Sequence, residues 1–147
     1  MSILGKLLSG RPEGRRSTVE FHASNELENA LVQAQARTMP VDDFFGRLLA
    51  SQVALLLDKE VPESGWDNSI SPLVLVSPRG DNVLAVFTGV ERAMPMSQTS
   101  SSHKYALFVD FRWVLKGVAP GVGIVVNPGW PVGVEIEPAR VAELKNA

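Results

Sequence analysis

The sequence predicts an α+β fold: one domain, with a mixed, mostly antiparallel sheet of five or six strands and helices packed mainly on one face. Three observations predict it. Residues 25–49 carry apolar positions at helical spacing, residues 72–87 read as a β-hairpin, and residues 105–145 alternate short apolar runs with short helical ones. A split β-α-β arrangement with helices on both faces is the next-best topology.

The first helix is read from Asn25. Asn25 and Glu28 have capping-box spacing, and Leu27, Ala30, Leu31 and Ala34 share one face. Pro40 separates it from a second helix, in which Val41, Phe44, Phe45, Leu48 and Leu49 form an apolar stripe. Asp42 and Asp43 lie in its first turn, where the helix dipole favours negative charge. Residues 53–57 (Val-Ala-Leu-Leu-Leu) read as a buried strand. Residues 58–71, rich in Glu, Pro, Ser, Gly and Asn, make a long irregular loop, with Trp66 expected to fold back over the core.

Residues 72–76 and 83–87 flank a turn containing Pro78, Gly80, Asp81 and Asn82 and form the hairpin. Thr88 and Glu91 have capping-box spacing, which starts a helix at Gly89, and Pro95 is expected to stop it. Of the six residues 97–102, five are Ser or Thr, the composition of a flexible linker. Residues 105–109 resume as a strand, and Asp110 is placed as N-cap of a helix over 111–116 closed by Gly117. Phe111 and Trp113 of that helix are expected in the core. Residues 123–126 are apolar on both faces, hence central in the sheet, and the Asn127-Pro128-Gly129 turn leads to Trp130. Val132 to Glu137 alternates apolar and acidic as a half-exposed edge strand would, and Pro138 starts the last helix at N1.

At 147 residues the chain has the length of one ordinary domain, and 45% apolar with 20% charged residues is a globular composition. The absence of cysteine removes disulfide frameworks and thiolate chemistry and fits a reducing cytoplasm. A net charge of -2 gives no electrostatic case for nucleic acid. Residues 1–24 are read as a flexible basic arm ahead of the domain at 25–147. Lys6, Arg11, Arg15 and Arg16 against Glu13 give its first sixteen residues a local +3. The apolar run Ile3 to Leu8 is too short to cross a bilayer and precedes its positive charges, the reverse of a secretion signal.

Residues 72–93 and 111–138 together resemble the SseB family, the bacterial "enhanced serine sensitivity" proteins. The matching features are Pro72-Leu-Val-Leu75 before a glycine-containing turn, Leu84-Ala-Val-Phe-Thr88 running into Glu91-Arg92, and Gly123-Ile-Val-Val-Asn-Pro-Gly129 followed by Gly133-Val-Glu-Ile136. Phe44-Phe45, Leu48-Leu49 and Ser51-Gln-Val53 fit the family's opening helix-to-strand step. The resemblance covers residues 40–145 and implies a cytosolic α+β domain without the second, C-terminal domain of full-length members. An accessory protein of type III secretion is the alternative that the family's name suggests. The translocator that shares that name forms coiled coils, and no heptad run is present here.

No residue set suggests catalysis, a cofactor or a metal. Phosphate loops run strand, glycines, helix, whereas residues 117–123 run helix, glycines, strand. Arg79-Gly80-Asp81 spells an integrin-binding tripeptide, but a hairpin turn calls for the same residue types. His22 and His103 lie in segments expected to be mobile, and only Ser100 to Ser102 beside His103 offers a hydroxyl near an imidazole. The candidate residues are therefore binding ones: Trp66, Arg79, Glu91, Arg92, Asn127 and Trp130. They suggest a protein partner, with a homodimer through the edge strand Val132–Glu137 as a further expectation. A small-ligand cleft at the strand-to-helix corner near Thr88 is the alternative.

Overall fold

The computed structural model describes residues 21–147, so residues 1–20 of the arm read at 1–24, its apolar run included, lie outside the described residues. Among the described residues eleven elements follow in order: α1 (Glu26–Gln35), α2 (Val41–Leu49), β1 (Gln52–Leu57), β2 (Val74–Val76), β3 (Asn82–Val86), α3 (Val90–Thr99), β4 (Tyr105–Asp110), α4 (Phe111–Gly117), β5 (Gly123–Val126), β6 (Val134–Ile136) and α5 (Pro138–Lys145). Among the described residues no helix is long and apolar enough to cross a membrane.

The six strands form two ladders, and the α+β class read from the sequence is the class observed. One ladder is the antiparallel pair β1–β4, and the other runs β2-β3-β5-β6. Only β3 and β5 are parallel. The inner edge of β1 joins the two ladders: Ala54 and Phe87 exchange backbone hydrogen bonds of 2.8 and 2.9 Å, and Leu73 N–H donates to the Leu56 carbonyl at 2.9 Å. Every residue from Val53 to Leu57 is consequently buried. The fully apolar β5 is buried along its length and has a strand on each side, as its lack of polar alternation predicts.

The hairpin forms where its turn chemistry requires. Ser77 Oγ accepts from the amides of Arg79 and Asp81, and Gly80 takes a positive φ of 91°, a conformation without strain only for a residue lacking Cβ. The loop 58–71 has no helix or strand but closes on itself: Asp58 N–H donates to the Ser71 carbonyl, and Ser71 N–H donates to Asp58 Oδ1.

Four local expectations are corrected. Pro95 does not stop α3, which continues to Thr99. Proline there removes a single amide donor, whose acceptor would be the carbonyl of solvent-exposed Glu91. Ser97–Thr99 thus form the last turn of α3, with Ser97 buried and its hydroxyl donating to the Met94 carbonyl at 3.0 Å. The segment beyond is tied down: Ser100 Oγ accepts from the Ser102 and His103 amides, and Lys104 Nζ donates to the Ser100 carbonyl at 2.6 Å. Trp113 is 42% exposed, on the outer side of the short helix whose buried face is Phe111, Val114 and Leu115.

The fourth correction concerns β6. All three of its residues are buried, including Glu135, so the alternation of apolar and acidic residues does not mark a wet face. Neither carboxylate oxygen of Glu135 has a hydrogen-bond partner among the described residues. Burial pushes this carboxyl's pKa above the ordinary carboxylate range, against the nearby charge of Arg79. A raised folded-state value means the folded protein holds the proton more tightly than the unfolded chain, so stability falls as pH rises through that interval. Glu135→Gln should therefore raise stability at pH 7 by about 1 kcal/mol. The gain should shrink toward pH 4, as measured by urea unfolding at the two pH values.

β5 and β6 approach so closely that a Cβ on Gly123 would lie 2.6 Å from the Ile136 carbonyl oxygen. That atom is backbone and cannot rotate away. Gly123→Ala should destabilise the domain by about 1–3 kcal/mol. Calorimetry should register this as a fall in Tm of several degrees.

Candidate functional site

The C-terminal ends of the parallel strands β3 and β5 lie side by side, Val86 opposite Val126, and both chains leave the sheet there. β3 leads through Thr88 and Gly89 into α3. β5 leads into a turn in which Asn127 has φ 59° and Gly129 φ 88°. Asn127 adopts this left-handed conformation because its side chain is held. Its Oδ1 accepts from Thr88 N–H at 2.9 Å, its Nδ2 donates to Thr88 Oγ1 at 2.9 Å, and its own N–H donates to the Val86 carbonyl at 2.7 Å.

Thr88 does not cap α3. No side chain caps that helix, and the Thr88 hydroxyl instead donates to Glu28 Oε2 at 2.6 Å. Glu28 sits in the first turn of α1, where Asn25 Oδ1 accepts from its amide as predicted. Its carboxylate goes inward: Arg92 donates through Nε and Nη2, both at 2.8 Å, to the two oxygens. Ser24 N–H adds a bond to Oε1 at 2.9 Å. Glu28 is wholly buried and Arg92 only 8% exposed. Burial alone would raise the Glu28 pKa. The hydrogen bonds from Arg92, Thr88 and Ser24, with the charge of Arg92, overcome it and hold the value down at about 2.

Arg92 is then enclosed on its faces. Its guanidinium carbon lies 4.0 Å from the Phe21 ring centroid and 4.7 Å from that of Trp130, and the two rings meet edge to face at 6.0 Å. Arg92 Nη2 also donates to the His22 carbonyl at 2.6 Å, and Trp130 Nε1 donates to the Arg92 carbonyl at 2.7 Å. Trp130 is therefore half-buried: one face covers the arginine, and its polar atom is already bonded.

Outside this wall is an open cavity of about 320 Å³, lined by Arg92, Pro95, Met96 and Thr99 of α3 and by Pro128, Gly129 and Trp130 of the turn. Its walls are mostly hydrocarbon. Arg92, which lines it, turns Nε and Nη2 toward Glu28.

Of the residues singled out from sequence, Arg92, Asn127 and Trp130 converge here, and Glu91 lies exposed near them, 3.4 Å from the Ser24 hydroxyl. Trp66 and Arg79 go elsewhere. Trp66 packs edge to face on Trp113 at 5.4 Å, away from the cleft, and remains 38% exposed. Arg79 holds Glu137 at 2.9 Å beside the hairpin turn. Sequence reasoning missed Glu28 as anything beyond a cap partner, and missed Phe21 and Met96 entirely. The available signal for Glu28 is its neighbourhood: it directly follows Leu27 and lies three residues before Leu31, beside the apolar face.

The pair sets an acid limit on stability. Glu28 is depressed, so its contribution is fully present above the ordinary value of 4.5 and is lost as pH falls through about 2. Glu28→Gln leaves Arg92 buried without its counter-charge and should cost about 3 kcal/mol or more near neutral pH. The difference from the wild type should narrow below pH 4.5 in chemical unfolding. Arg92→Lys should not rescue the site, because an ammonium cannot make the fork-shaped contact or stack between two rings.

No curated protein and no solved structure matches the chain. The family model described as the SseB protein N-terminal domain matches residues 27–143, a span that contains Glu28, Thr88, Arg92, Asn127 and Trp130 of this site. The chain belongs to the SseB N-terminal domain family.

Proposed function

We propose that this domain is a non-catalytic, cytoplasmic binding module that receives an apolar side chain of a partner polypeptide in the cleft beside Trp130. One observation carries the reading: a mostly hydrocarbon cavity of about 320 Å³ stands on a polar base cross-linked by hydrogen bonds among Glu28, Thr88, Arg92 and Asn127. Such a cavity matches the volume of a small binding pocket, and its wall residues are of the kind found at interface anchors.

A reading without catalysis is supported by how the polar groups are used. The Arg92 guanidinium is committed to Glu28 and the His22 carbonyl, the Thr88 proton to Glu28, and the Trp130 N–H to the Arg92 carbonyl. None of these is aimed at a substrate. The network holds the walls in place, so the partner meets a preformed site and little ordering entropy opposes association. Any link to serine sensitivity then runs through the partner.

The test uses a displayed library of short peptides selected on the purified domain. Selected sequences should share one large apolar side chain, and their binding should fall at least tenfold against Met96→Arg, which fills the cleft without touching the network. Trp130→Ala should weaken them similarly. A library yielding only peptides indifferent to Met96→Arg counts against the cleft.

A further inference from the structure

The outer strands of the two ladders are built differently. At one end of the four-stranded ladder, β6 is three residues long and buried. In the two-stranded ladder, β4 is six residues long, pairs with β1 alone, and exposes Tyr105 (45%) and Phe108 (47%). None of the usual edge-blocking devices is present within Tyr105–Val109: no proline, no bulge, no charged side chain.

The hydrogen-bond phase of that edge is readable. Phe111 N–H donates to the Ser51 carbonyl, while Ala54 turns its amide and carbonyl the opposite way, to Phe87. By the alternation of an antiparallel ladder, Tyr105, Leu107 and Val109 bond inward to β1. The backbone groups of Lys104, Ala106 and Phe108 and the amide of Asp110 therefore point outward, while the Asp110 carbonyl begins α4.

We infer that β4 is a self-association edge, pairing antiparallel with β4 of a second copy of this chain about a two-fold axis at Leu107. In that register Ala106 faces Phe108 of the other copy, and both are outward-bonding residues, so the backbone groups meet in reciprocal pairs. Lys104 faces Asp110, opposite charges at both ends of the joint. Tyr105 faces Val109, an aromatic against a β-branched residue. Sliding by one pair either sets Lys104 against Phe108 or drives it toward Arg112, so the charges select this register over its neighbours. The partner is a second copy because the seven residues 104–110 are self-complementary only when read against themselves in reverse. This moves the homodimer expected at Val132–Glu137 to the two-stranded ladder.

The test begins with sedimentation equilibrium of the full chain from micromolar to several hundred micromolar. A concentration-dependent dimer is expected, and a monomer throughout would overturn the inference. The register is then read by cysteine scanning in a chain that has no other cysteine. Leu107→Cys falls on the axis in a closely spaced pair of about 4.5 Å between Cα atoms, within disulfide range, and should oxidise to a covalent dimer. Val109→Cys, far from its own copy, should not. The reverse pattern overturns the register. Ala106→Pro removes an outward amide and should give a monomer. If that variant does not fold, Phe108→Asp, at an exposed side chain, serves in its place. Lys104→Asp should weaken the dimer several-fold, and adding Asp110→Lys should restore it. A dimer indifferent to both Phe108→Asp and Lys104→Asp does not use this edge.

Discussion

The bidentate contact between Glu28 and Arg92 is the interaction on which the rest of the site depends. Removing two charges from water is expensive, and a buried pair breaks even only when its remaining lone pairs and protons are satisfied. Here Thr88 and Ser24 serve the carboxylate, the His22 carbonyl takes a guanidinium proton, and Phe21 and Trp130 cover the guanidinium faces. The contact therefore fixes geometry more than it adds net stability. It ties the first turn of α1 to the first turn of α3, elements 60 or more residues apart in the chain, and Thr88 links both to the sheet. Every wall of the cleft hangs on one of these three attachments.

What was legible in the sequence was local. The stripe on α2, the hairpin turn with Gly80, the apolar run of β5 and Pro138 at the start of α5 all carry signals complete within a few residues, and each element formed where read. Resemblance extended this reach, because order and spacing of short motifs reflect the whole fold. The misreadings share a cause. The immediate neighbours of Thr88, Glu135 and Trp113 suggest one placement, but their positions are set by residues distant in sequence. Thr88 and Glu91 have capping-box spacing, yet a buried carboxylate from α1 takes the hydroxyl. Glu135 alternates with apolar neighbours as a surface residue would, yet both faces of β6 are covered. The convergence of Arg92, Asn127 and Trp130 was legible residue by residue, whereas the carboxylate that organises them was not.

Why the site lies where it does follows from β3 and β5, the one parallel pair. Parallel neighbours need a crossover, and here it contains α3, β4 and α4. Both strands must end at the same side of the sheet, so two departing segments leave adjacent positions at once. Thr88 and Asn127 fill the gap by bonding to each other, and the Asn127 turn throws Trp130 back over α3. The cleft is the space left between a helix that starts at one strand end and a turn that starts at the other. An antiparallel pair would have put these two exits at opposite ends of the ladder, and no such space would exist. Close approach at β5 is also what excludes a side chain at Gly123, so the same strand that creates the cleft at its end tolerates no bulk at its start.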